Sequence, residues 1–107
     1  MSSLNVMVVD DSEITVRKIT KILEDIGHKV IASCPSGREV EETYRRVNPD
    51  VVTMDITMPD IDGIEATKIL VNKFSDVKIV MVTSHGQEQM VMEAISAGAL
   101  GYVLKPI

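Results

Sequence analysis

Residues 52–63 read VTMDITMPDIDG. An apolar run ends on a carboxylate at Asp55, and Met58-Pro59 then bars any continuation of regular pairing, since proline has no N–H to give to a ladder. Taken alone, the stretch reads as a strand, a proline turn and an N-capped helix. What needs explaining is a carboxylate at the lip of the core, on a strand that stops there.

Outward from this stretch, apolar runs and amphipathic patterns alternate along the whole chain. Strands are predicted over residues 5–9, 29–33, 50–54, 77–82 and 100–104, and helices over 12–26, 36–47, 63–74 and 87–97. In the first helix Ile19, Ile22, Leu23 and Ile26 share one stripe, while Arg17, Lys18, Lys21 and Glu24 lie elsewhere. Gly27 and Gly98 stand where a left-handed residue closes a helix, and Asn48-Pro49 stops the second one. Five strands separated by helices imply a three-layer α/β fold with a parallel sheet and right-handed crossovers. The near-continuous apolar runs VMVV and IVMV suit strands covered on both faces.

Composition narrows the function. A chain of 107 residues is one domain, spanning 1–107, and with 45% hydrophobic residues it can bury a core. A net charge of −5 argues against nucleic acid or an anionic membrane as the main partner. No apolar run approaches a membrane span, and the start MSSLNVMVVDD lacks the basic region of a secretory signal. The single cysteine, Cys34, excludes an internal disulfide and fits a reducing cytoplasm, and its place beside the SCPSG turn makes it a small packing residue. With no tryptophan and three aromatic residues, no base-stacking platform is expected.

In open α/β sheets the site lies beyond the carboxyl ends of the strands. There the first strand leads into Asp10-Asp11, the third into Asp55, the fourth into Thr83-Ser84 and the fifth into Lys105-Pro106. Each has a dull explanation: an acidic pair is usually a solvated loop or a helix cap, a Thr-Ser pair a turn, a lone lysine surface. If strands one, three and four are neighbours, however, three carboxylates converge, and like charges that close repel unless a cation intervenes. An oxygen-only ligand set with free positions suits Mg²⁺. A carboxylate facing a hard cation, the Lys105 ammonium and the Thr83 hydroxyl has the parts of a phosphoryl-transfer site.

VVDDS, MDITMPDIDG, MVTS and YVLKP stand in the order and at the separations found in response-regulator receiver domains, and from residue 5 onward the chain resembles that family. The DITMPDIDG and HGQEQMVMEAISAGA stretches most resemble the single-domain chemotaxis regulators of the CheY type. The resemblance implies a flavodoxin-like sheet of strand order 2-1-3-4-5, the order known for that type. It implies Asp55 as phosphoacceptor, Asp11 as a direct Mg²⁺ ligand, Asp10 as one acting mainly through water, and the Thr57 main-chain carbonyl as a further ligand. Thr83 and Lys105 would hold phosphoryl oxygens, Tyr102 would change rotamer on phosphorylation, and Thr57 and His85 would tune the lifetime of the phosphoryl group. Pro59 and Gly63 would shape the loop.

The implied activity is that of a switch, not a conventional enzyme, although it would catalyse its own aspartyl phosphorylation and dephosphorylation. The implied partners are a sensor histidine kinase and an output protein, at the flagellar motor or elsewhere. The chain departs from the family in stopping at Ile107, where a receiver continues into a fifth helix, and in having Ser84 where alanine is usual. Without that helix the face beside Ile19, Ile22 and the fifth strand is expected to be bare, and therefore covered by a second copy as a homodimer or through an exchanged element, the rival expectation being a natural protein that runs on past Ile107.

The rival readings are weaker. A flavodoxin-like FMN binder needs a Ser/Thr/Gly-rich phosphate loop where this chain has Asp10-Asp11. A P-loop nucleotidase needs a glycine-rich Lys-Ser/Thr motif that is missing. An aspartate-nucleophile phosphatase would have a second Asp where Thr57 stands. A phosphorylation-inert interaction module sharing the receiver fold would have no use for intact Asp11, Asp55, Thr83 and Lys105.

Overall fold

Along the first strand, β1 (Asn5–Val9), successive side chains enter two different cores. Val6 and Val8 join one and Met7 and Val9 the other, all at most 2% exposed. This is the two-residue alternation of a strand buried on both sides. The computed structural model describes residues 3–84 and 88–105. In it β1 pairs in parallel with β2 (Lys29–Cys34) and β3 (Val51–Asp55), followed outward by β4 (Ile79–Thr83) and β5 (Gly101–Leu104). The sheet has the order β2-β1-β3-β4-β5, as the resemblance implied.

Four α-helices are found among the described residues: α1 (Glu13–Asp25), α2 (Val40–Val47), α3 (Gly63–Lys73) and α4 (Glu88–Ala97). On one face Met7, Val9, Val52, Met54, Ile79 and Met81 pack with residues of α2, α3 and α4, including Tyr44, Leu70 and Val91. On the other face Val6, Val8 and Val82 meet Ile19 of α1, flanked by Val16, Leu23 and Val30. Gly27 at φ 95° and Gly98 at φ 123° close α1 and α4, and Asn48 ends α2 in the left-handed region at φ 47°.

The structure moves some expected boundaries. The second helical segment begins as a single 3₁₀ turn, Gly37–Glu39, before α2 proper. There the first amides are taken up by a carboxylate from another loop (below). β4 starts at Ile79 rather than at residue 77, because the Val77 N–H turns back to the Phe74 carbonyl (3.5 Å), and it runs on to include Thr83. β3 likewise includes Asp55, whose Cα pairs with that of Val82.

The α1 stripe is only partly covered. Ile19 is 6% exposed, but Ile22 and Ile26 are 42% and 64% exposed. Among the described residues one α-helix lies on that face of the sheet, and its flank toward β5 is open. There Ile19, Ile22, Leu23, Val80, Val82, Val103 and Thr53 line an apolar groove of about 140 Å³. No helix among the described residues is long and apolar enough to cross a membrane.

Candidate phosphoacceptor and metal site

The first strand delivers Asp10 by continuing its ladder one residue past its end: the Asp10 N–H donates to the Cys34 carbonyl (3.0 Å). The Asp10 carboxylate is buried at 2% exposure, and its Oδ1 accepts the Ser12 N–H (2.8 Å). Ser12 caps α1, its Oγ accepting the Thr15 N–H at 3.3 Å. This Asp-Asp-Ser turn holds Asp10 against the sheet and leaves Asp11 exposed beside it.

Asp55 is the last residue of β3, 6% exposed, and the chain behind it is fixed by packing. Ile56 and Met58 are buried, and the Gly63 N–H donates to the Ile56 carbonyl (2.7 Å), folding the loop back onto the strand end. At Gly63 a Cβ would lie 2.0 Å from the Asp55 carbonyl oxygen, so only glycine allows this approach. Asp62 caps α3 by accepting the Glu65 N–H at 2.9 Å.

Thr83 ends β4 fully buried, and its carbonyl accepts the Lys105 N–H (2.7 Å), which carries the β4–β5 ladder one residue past β5. That register places the Lys105 ammonium 3.3 Å from Asp55 Oδ1, as a hydrogen bond, and 3.1 Å from Asp10 Oδ2. The second contact is one of charge: Asp10 Oδ2 is buried with no well-directed hydrogen-bond donor.

Asp10, Asp11 and Asp55 each offer an oxygen within 4.8 Å of the other two. Two carboxylates at such a separation repel by on the order of 3 kcal/mol at an effective dielectric of about 20. Burial, and then the charge of Asp10, push the Asp55 carboxyl above the usual carboxylate range against the opposing pull of Lys105. Lys105 loses some affinity for its proton through burial but is held above the ordinary lysine value by Asp10 and Asp55. Among the described residues the Lys105 ammonium pairs with two of these three carboxylates, which leaves the ionised cluster with a net negative charge. A divalent cation neutralises two charges, and the donors are all oxygen. The buried Asp10 Oδ2 without a directed donor and the crowded carboxylates therefore fit a Mg²⁺ ion.

Thr57 is exposed in the loop two residues after Asp55. Tyr102 lies on the edge strand β5 in register with Met81 and is 49% exposed. His85 lies outside the described residues. Sequence reasoning did not single out Asp60, which joins two loops here; its contacts are 22 and 23 residues away along the chain, and no local pattern signals them.

Residues 6–107 match the family described as the response regulator receiver domain. The chain is 40% identical over 101 residues to the chemotaxis protein CheY of Thermotoga maritima, covering 94% of this chain and 84% of that one. A complex of CheX and CheY with BeF₃ and Mg²⁺ from Borrelia burgdorferi superposes with a TM-score of 0.90 at 34% identity, over 96% of this chain and 78% of that one. A LuxR-family two-component response regulator from Aurantimonas gives 0.91 at 34% identity, over 97% and 75%.

Proposed function

Since the chain belongs to the response-regulator receiver family, we propose that it is a two-component switch whose Asp55 takes a phosphoryl group from a sensor-kinase phosphohistidine. The observation that carries the reading is the meeting of Asp10, Asp11 and Asp55 beside Lys105 at the carboxyl edge of the sheet. An Asp55 carboxylate oxygen bonds to phosphorus as the phosphorus–nitrogen bond breaks, and the electron pair leaves on the imidazole. Asp10, Asp11, Asp55 and the Thr57 carbonyl would hold Mg²⁺, which draws charge from the transferred oxygens. The ion solved with the Borrelia burgdorferi CheY supports this choice. Lys105 and the Thr83 hydroxyl bind the phosphoryl oxygens, and a shift of Thr83 toward them lets Tyr102 turn inward, changing the surface seen by an output protein. A flagellar-motor component is one such partner, and the cytoplasm is the setting.

Incubation with Mg²⁺ and a small acyl phosphate should add one phosphoryl group by intact mass, and Asp55→Asn should add none. In the same assay Thr57 and His85 substitutions should alter the decay of the adduct without preventing its formation. Lys105→Ala should still accept the group slowly while Tyr102 keeps its unphosphorylated rotamers. An unmodified wild type, or an Asp55→Asn protein that still gains the group, would refute the assignment.

The open groove between α1 and β5 supports a second element of the reading, self-association. Ile22 (42% exposed) and Val103 (48%) line it, and apolar surface of that kind is stabilised by cover at about 25 cal/mol per Å². Light scattering should show a concentration-dependent dimer at micromolar protein, with a urea midpoint that rises with concentration. A monomer with a fixed midpoint would show that this face is tolerated bare.

A further inference from the structure

The loop that follows Asp55 is tied to a distant turn by one side chain. Asp60 Oδ1 accepts the Gly37 N–H at 3.1 Å and Asp60 Oδ2 accepts the Arg38 N–H at 3.0 Å. These are the opening amides of the 3₁₀ turn Gly37–Glu39, which have no partner within so short a helix. The two segments also touch: a Cβ on Gly37 would lie 2.5 Å from the Ile61 carbonyl oxygen, so the absence of a side chain there lets the loops meet. The Arg38 guanidinium adds little, since its Nε is 3.8 Å from Asp60 Oδ2 and its side chain is 79% exposed. A carboxylate gripping two backbone amides is the stronger link, being charge-assisted and forked.

The same loop is fixed at its base by the Gly63 N–H on the Ile56 carbonyl and inside by buried Met58. Thr57 lies between these anchors, with its side chain exposed. Asp60 ties the outer limb of the loop, residues 59–61, to the body of the fold, beside the packing of Ile61 on Gly37.

We propose that Asp60 is a positioning residue of the phosphoacceptor site: its carboxylate clamps the β3–α3 loop onto the turn at Gly37 and Arg38, so that the Thr57 carbonyl is in place before Mg²⁺ arrives. This rests on the metal-assisted reading above. Asp60 touches neither the ion nor the phosphoryl group. It removes the cost of ordering the loop at the moment of binding, so its loss weakens the metal without changing the chemistry at Asp55.

Three measurements test it. In metal-free protein, hydrogen exchange at the Gly37 and Arg38 amides should be slow, about tenfold or more faster in Asp60→Ala, and intermediate in Asp60→Asn, which keeps one oxygen acceptor. Calorimetric titration with Mg²⁺ alone should then show affinity reduced by about 3–10-fold in Asp60→Ala, at or below the 10–100-fold typical of groups hydrogen-bonded directly to a metal ligand. Gly37→Ala should act in the same direction and not additively with Asp60→Ala, because both open the same contact. Arg38→Ala retains its amide and should leave both readouts unchanged. At saturating Mg²⁺ the rate of acyl-phosphate labelling in Asp60→Ala should return to that of wild type. Unchanged exchange at Gly37 and Arg38, or faster exchange with unchanged Mg²⁺ affinity, overturns the clamp while leaving the phosphoacceptor reading intact. A wild type that takes up no Mg²⁺ overturns that reading, and the clamp's role with it. Should Asp60→Ala not fold, Asp60→Asn carries the same comparison.

Discussion

Asp11→Ala should lose Mg²⁺ binding at millimolar concentrations, whereas Asp10→Ala should only weaken it. The two carboxylates are neighbours in sequence but not in circumstance. Asp10 is 2% exposed, with one oxygen on the Ser12 N–H (2.8 Å) and the other facing Lys105 (3.1 Å). Asp11 is exposed, and it brings an oxygen within 4.8 Å of those of Asp10 and Asp55 without being enclosed as they are. On the proposed reading it is therefore the direct ligand, while Asp10 acts mainly through water.

A proton competes with the same ion. The Asp55 carboxyl is raised above its ordinary value by burial and by Asp10, so the folded state holds this proton at a pH where the unfolded chain has released it. Between the unfolded and folded pKa values the native state binds more protons, and stability from this group therefore falls as pH rises through that window. Mg²⁺ reverses the sign, because it binds the ionised form and stabilises the fold by mass action, about 1.4 kcal/mol at ten times its dissociation constant. Calorimetric titrations at several pH values should show affinity falling as pH drops toward the raised Asp55 pKa. Thermal melts should show an increase with Mg²⁺ that Asp11→Ala lacks. Equal Mg²⁺ affinity in Asp11→Ala and wild type would falsify the ligand assignment.

Gly63→Ala should destabilise the protein by about 3 kcal/mol or more, at the upper end of overpacking costs. The added Cβ would meet the Asp55 carbonyl oxygen at 2.0 Å, its carbon at 2.8 Å and the Ile56 Cα at 2.9 Å. All three are backbone atoms, so no rotamer change relieves the contact. Either α3 moves away from the end of β3 or the Gly63–Ile56 hydrogen bond breaks, and both displace Asp55. Gly101→Ala serves as the control. Its Cβ would have no atom within 4 Å, so its stability should stay within about 0.5 kcal/mol of wild type. In thermal melts the first change should lower the midpoint by about 10 °C or more, given about 4–8 °C per kcal/mol for a domain near this size. A Gly63→Ala protein melting with wild type would show that the loop yields at little cost.

The sequence by itself determined the order of the elements and the strand ends where the acidic residues gather. VMVV and IVMV announce doubly buried strands because one apolar side chain per residue can only be satisfied by cover on both faces. Asp55 before Met58-Pro59, with Asp10-Asp11, Thr83 and Lys105 at other strand ends, marks the site because parallel strands bring their carboxyl ends to one edge. The strand order came from family resemblance, since apolar periodicity does not say which strands are neighbours.

Tertiary structure alone decided the rest. The stripe of Ile19, Ile22, Leu23 and Ile26 reads as uniformly apolar, yet Ile19 is buried while Ile22 and Ile26 are exposed. Helical spacing gives a stripe its direction but not the width of what it packs against. The 3₁₀ turn at Gly37–Glu39 and the clamp by Asp60 were equally invisible. Helix and strand signals are periodicities over a few neighbouring residues, whereas a carboxylate gripping amides 22 and 23 residues away depends on two loops being brought together by the packing of the elements that carry them.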